Sequence, residues 1–307
     1  MPARQTKTGA ATHAPSAAIL AFYAEPSALT SPGRHAAAFA ALPNDPVALA
    51  RIVQGLVLHK YMAEAYGVQV PPARDAEAHT RRVESMLDQI LTRDPRALPA
   101  LRSPEKRLFG VCGHFTSMLV AMLRAKGRPA RERAGFGAYF NAPYFEEHVL
   151  CEYWNANEDR WVLLDTQFDE VWRAQLKVGH DVFDVPRDRF LTASDAWTLC
   201  RSGKADPNLF GIFNGNLRGL WFVAAELIRD AAALNKAEVL VWDVWGAMPK
   251  PDTKLNSRQL VYFDRLAALT RDPDASFAEL TALYRDDEGV SVPPVVFNVI
   301  TNHAEAV

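Results

Sequence analysis

Gly110-Val111-Cys112-Gly113-His114-Phe115 runs directly into a segment where Phe115, Met118, Leu119, Met122 and Leu123 recur at helical spacing. That pattern predicts an amphipathic helix with one buried stripe, beginning at or just after Cys112. Arg124 and Lys126 suit its C-terminal dipole, and Gly127 suits the position after its end. A cysteine at a helix start is chemically pointed. The unpaired N–H groups there favour a thiolate and can receive the oxyanion of a tetrahedral intermediate. Gly110 and Gly113 would let backbone and substrate approach closely. The plainer alternative is a buried structural cysteine, since free cysteines are often buried.

The chain downstream reads as strands. Arg128–Phe136 is a candidate strand, and His148–Trp154 and Trp161–Asp165 are stronger ones. Asn155-Ala156-Asn157-Glu158-Asp159 supplies turn chemistry between the last two. A turn centred on Ala156 and Asn157 would set Trp154 opposite Asp159, Glu152 opposite Trp161, Leu150 opposite Leu163, and His148 opposite Asp165. Directly opposed residues project to one side of the sheet. The Asp165 carboxylate could then orient the imidazole and fix its tautomer. Without Cys112 the same pair would read equally well as a structural His–Asp contact.

In this order the segments resemble the core of the bacterial transglutaminase-like superfamily, a branch of the papain-like cysteine fold. The resemblance rests on Gly110-Val111-Cys112 at a helix start and on Arg124-Ala125-Lys126-Gly127-Arg128-Pro129-Ala130-Arg131. It continues through Gly135-Phe136, His148 to Trp154 with its Glu152-Tyr153-Trp154, and Trp161 to Asp165. It covers roughly residues 80–170. It implies Cys112 as nucleophile, His148 as base and Asp165 as orienting carboxylate. Two departures stand out. Val149 occupies the place after the histidine where many relatives carry an aromatic residue. The upstream side-chain oxyanion donor is open among His59, Tyr61 and Tyr66.

The bulk numbers fit an ordinary globular chain. Of 307 residues, 49% are hydrophobic and 23% charged, enough for a large core without staples. A net charge of −2 lacks the basic excess of a general nucleic-acid binder. No apolar run has the length of a membrane span. Cys112, Cys151 and Cys200 are too few for a disulfide framework, so a reduced, cytoplasmic setting is expected.

Residues 1–16 read as a mobile tail, 17–175 as N-terminal helices and core, and 176–307 as a mainly helical region docked on the core. Helices are expected from Val47 to Tyr61, Asp75 to Leu91, Ser194 to Cys200, Leu220 to Leu234, Asn256 to Thr270 and Ser276 to Tyr284. Val182–Arg189 reads as loop. Cys151 and Cys200 read as structural, and Trp242 and Trp245 as core or cleft wall. Asp181, Asp184 and Asp188 lack a calcium-loop pattern and read as solvated surface. Cys112 with His114, His148 and Asp165 offers a zinc alternative, but no second Cys/His pair matches it.

The expected whole is an α+β, papain-like thiol enzyme without cofactor or metal. It would attack a peptide, protein or small-molecule amide or ester through an acyl-enzyme, with hydrolysis slightly favoured over transfer to an amine. The rivals are a non-catalytic peptide-binding module and a thioester-dependent N-acyltransferase. Neither nucleic acid nor membrane is an expected partner, and the oligomeric state is open.

Overall fold

The computed structural model describes residues 14–307, and most of the proposed tail, residues 1–13, lies outside the described part. Ser16 caps the first helix, α1 (Ala17–Ala24), through its side chain to the Ile19 N–H. After α2 (Ala36–Ala40), Asp45 caps α3 (Pro46–Leu56), with proline at its first position. The helical spacing predicted to Tyr61 stops at Leu56. Val57–His59 is strand β1, followed by a 3-10 stretch, Lys60–Tyr66. The β-branched Val57 instead enters a parallel pair with β2 (Leu108–Gly110). The helix expected from Asp75 also divides, into a 3-10 segment Pro72–His79 and α4 (Val83–Arg93).

Helix α5 (Cys112–Ala125) is the core's central rod, with Met118, Leu119, Met122 and Leu123 fully buried. The side chains of α3 and α4 surround it, and Ala130, Cys151 and Tyr153 of the sheet close the cluster. Burying such leucines and methionines stabilises the fold by about 1.5–3 kcal/mol each. Gly127 takes the left-handed φ of 68° that ends the helix. Arg124 does more than face the helix dipole: it donates to Glu238 at 2.6 Å and to the Ala130 carbonyl at 2.9 Å.

The sheet is built on β3 (Ala130–Gly137) and β4 (Phe145–Asn155), antiparallel with Gly135 opposite His148 and Ala134 opposite Val149. β6 (Phe190–Thr192) adds to the far side of β3. The outer edge of β4 is shared. β5 (Arg160–Leu164) pairs with Cys151–Asn155, whereas β7 (Phe210–Ile212), itself joined to β8 (Leu217–Arg218), pairs with Phe145 and Glu146. Residues 147–150 therefore have no strand partner on that edge.

The predicted hairpin register is corrected. Trp154 faces Trp161 and Glu152 faces Leu163, a slip of two residues, because the loop is Ala156–Asp159 closed by the Asn155–Arg160 pair. Asp159 takes a positive φ of 50° there, and Asn155 Oδ1 accepts from Asn157 N. A two-residue slip preserves the face. Asp165, just past β5, stays on the side of His148 but diagonal to it.

α6 (Glu170–Leu176) follows the sheet, and the 182–185 segment then lies along β5 through Asp165 N to Val182 O and Val185 N to Leu163 O. The later helices are α7 (Ala193–Arg201), α8 (Leu220–Leu234), α9 (Ser257–Arg271) and α10 (Phe277–Asp286). They share a second core with Phe136 and Phe210 of the sheet. β9 (Asp243–Val244), β10 (Val295–Asn298) and β11 (His303–Ala306) form a small separate sheet. The architecture is the α+β arrangement of a papain-like core, and strands from beyond residue 176 complete its sheet.

Candidate active site

The unpartnered stretch of β4 is where Cys112 arrives. The Ala134 N–H points away from β4, to Asp230 Oδ1 at 2.9 Å. Ala134–Val149 is therefore a non-hydrogen-bonded pair, and Val149 turns its own N–H and C=O to the free edge. Helix α5 fills that edge. Thr116 Oγ1 donates to the Val149 carbonyl at 2.9 Å, and Cys112 packs against Val149 and Ala134. The first turn of the nucleophile helix stands in for a missing strand. It holds Cys112 against the peptide that follows His148.

His148 is buried, and its Nε2 meets Asp165 Oδ2 at 2.9 Å. That contact leaves Nδ1 as the nitrogen free to act as base. The same carboxylate oxygen accepts from the Tyr139 hydroxyl at 2.7 Å, and Oδ1 accepts from Gln167 N at 3.1 Å. Phe140 packs edge-on to the imidazole, with ring centres 4.9 Å apart. Sequence reasoning missed Tyr139 and Phe140. Both lie in the loop between β3 and β4, where no periodicity or motif marks them.

Burial, reinforced by Glu147, pushes the Cys112 thiol well above its ordinary range, against the lowering effect of the Val149 and Gly113 N–H groups. At this buried position desolvation works against the helix-start N–H groups and is the larger influence. The glycine expectation divides too. A Cβ on Gly110 would lie 2.8 Å from His114 Cβ, so glycine is required there, whereas Gly113 has open space around it. His114 Nδ1 accepts from Val111 N at 3.2 Å, and burial first lowers its pKa to about 4. Among the described residues, no three His, Cys, Asp or Glu side chains converge as a metal-holding group.

The three candidate oxyanion donors separate clearly. Tyr61 is exposed, and the Tyr66 hydroxyl donates to Asp169 at 2.7 Å. His59 pairs with Gly110, two residues before Cys112, and its buried Nδ1 has no hydrogen-bond partner. Burial, aided by the fields of His148 and His114, lowers its pKa to about 3, so the ring is neutral.

Cys151 is fully buried in the α5 core. Burial pushes the partly exposed Cys200 up to about 12. Asp184 pairs with Arg160 at the surface. Trp242 packs beside Val111, and Trp245 belongs to the second core.

Residues 64–166 match the family model of the transglutaminase-like superfamily, so this stretch is a transglutaminase-like core, of a superfamily whose members are generally cysteine-dependent enzymes. One solved structure is similar: a Cytophaga hutchinsonii protein presented as a candidate cysteine protease. It is 16% identical, with a TM-score of 0.32, over 58% of this chain and 46% of the other. The matched part thus spans less than half of that protein. No curated protein matches the chain. Among the described residues, no helix is long and apolar enough to cross a membrane.

Proposed function

We propose that this chain is a thiol enzyme that attacks amide or ester carbonyls through an acyl-enzyme on Cys112. The supporting observation is that Asp165 holds the His148 imidazole while the first turn of α5 bonds the backbone of the next residue, Val149. In the reaction His148 Nδ1 takes the thiol proton as sulfur attacks the carbonyl. Asp165 stabilises the imidazolium, and the proton passes to the leaving amine or alcohol. Water then releases the acid, or an amine takes the acyl group.

An intact-mass search for a Cys112-linked acyl adduct, across amide, ester and thioester donors, tests this reading. A preference for thioesters would favour N-acyl transfer. Absence of any adduct on a chain that binds peptides would favour the binding-module reading.

Two further outcomes are expected. A triad activates its nucleophile with a neighbouring base, so turnover should survive EDTA and disappear with iodoacetamide, each tested alone. Loss on chelation, restored by one divalent ion, would revive the Cys112–His114 metal alternative. His59, neutral and with an idle Nδ1, fits the role of oxyanion donor. His59→Ala should lower kcat by about 10²–10³-fold with a smaller effect on KM. An unchanged kcat would remove His59 from the reaction.

A further inference from the structure

Elsewhere in this molecule, buried carboxylates meet their partners. Asp230 takes two guanidinium bonds from Arg133, at 3.0 and 2.9 Å, and Glu152 lies 2.7 Å from Arg131. A cluster beside Cys112 breaks that habit. Glu147 immediately precedes His148 on β4. It projects to the same face as Val149, which packs against Cys112, and it lies opposite Phe136, which packs into the core under α8. Glu226 and Arg229 come from α8 itself, one turn apart.

All three are buried, at 8%, 1% and 6% exposure. Glu147 Oε1, both Glu226 oxygens and Arg229 Nε and Nη1 have no hydrogen-bond partner. The Glu226–Arg229 approach is 3.6 Å, too long for a hydrogen bond. Arg229 spends its other terminal nitrogen on the Val241 carbonyl.

The charge count points to a ligand. Two carboxylates and one guanidinium leave one negative charge when both acids ionise. Burying it without a partner is costly, so the group must take up a proton or a cation. A divalent ion would leave an excess of positive charge beside Arg229. A primary ammonium carries one charge and three N–H donors, matching three orphaned carboxylate oxygens.

We propose that Glu147, Glu226 and Arg229 form a recognition pocket for a primary ammonium group of the substrate, carried close to the carbonyl that Cys112 attacks. The proposal rests on the reading of Cys112 as nucleophile. It also gives the raised thiol a use. After burial, Glu147 is the main influence holding Cys112 protonated. A cation seated against Glu147 offsets that influence, so a substrate with the right charge eases ionisation of the sulfur that attacks it.

The test uses two alkylating probes on the full chain: N-(2-aminoethyl)chloroacetamide and its N-acetyl counterpart, which lacks the charge. Rates of Cys112 labelling are read by intact mass and peptide mapping, and the ratio of the two rates is the measurement. The ammonium probe should react about tenfold faster or more. That advantage should fall to roughly twofold or less in both Glu147→Gln and Glu226→Gln, which keep shape and lose charge. Because each variant is judged by its own ratio, a general loss of reactivity cancels.

A ratio near one in the unaltered chain, or an advantage retained in both variants, overturns the pocket and leaves the two acids as a pair sharing a proton. Failure of both probes to reach Cys112 overturns the nucleophile reading, and the pocket with it. Equal labelling by both probes defeats the pocket alone.

Discussion

Cys112→Ala is expected to lower acyl-donor turnover by about 10⁴-fold or more and to erase any acyl adduct, with the fold retained. Cys112 contributes packing against Ala134 and Val149. Thr116 still ties α5 to the Val149 carbonyl in the variant. Structure should therefore survive while chemistry does not. His148→Ala should be nearly as severe, because without Nδ1 the Cys112 thiol has no base to receive its proton. Asp165→Ala should be milder, since Phe140 still packs against the imidazole and the Gly135 pairing still fixes the backbone of His148. Donor hydrolysis with intact-mass readout checks the series. Turnover in the Cys112 variant equal to that of the parent chain would remove the nucleophile assignment.

The pieces of the site that the sequence displayed are those written in short-range pattern. The apolar stripe from Phe115 to Leu123 marks α5, and β-branched and aromatic residues mark β4 and β5. The match of residues 64–166 to the superfamily model covers these segments. The His148–Asp165 contact was legible for a partly wrong reason. The turn residues suggested a tight hairpin, but Asn155 capping its own loop and Asp159 at positive φ lengthen it. The face survived because strand geometry repeats every two residues.

What the sequence did not display depends on long-range placement. Nothing local announces that β5 leaves β4 after Cys151 while β7 arrives only at Glu146, yet that gap is what admits α5. Tyr139 reaches Asp165 across 26 residues of chain. The helix of Val47–Tyr61 was overextended because Val57 and Tyr61 fit a helical stripe as well as a strand, and only the pairing with β2 decides between them.

Asp230→Ala is expected to destabilise the chain by about 3–5 kcal/mol. Arg133 is buried, with Nε and Nη2 both donating to Asp230, and the Ala134 N–H also donates to that carboxylate. Alanine would leave a buried cation and a buried N–H without their partner. Glu152, 3.4 Å from Arg133 Nη1, and the Thr270 carbonyl, 3.0 Å from Nη2, offset part of the loss. Glu152 is also engaged by Arg131 and Arg187, each at under 3 Å, so its charge is already shared. The ion pair joins α8 to β3, so its removal loosens the contact between the later helices and the strand that carries Ala134 behind Cys112. Urea unfolding at neutral pH checks the prediction through its midpoint and slope. Replacing both partners, as Arg133→Met with Asp230→Leu, should recover much of the loss, because no charge is then left buried. A single variant within 1 kcal/mol of the parent would mean that Glu152 alone suffices for Arg133 and that the α8–β3 clamp is held by apolar packing.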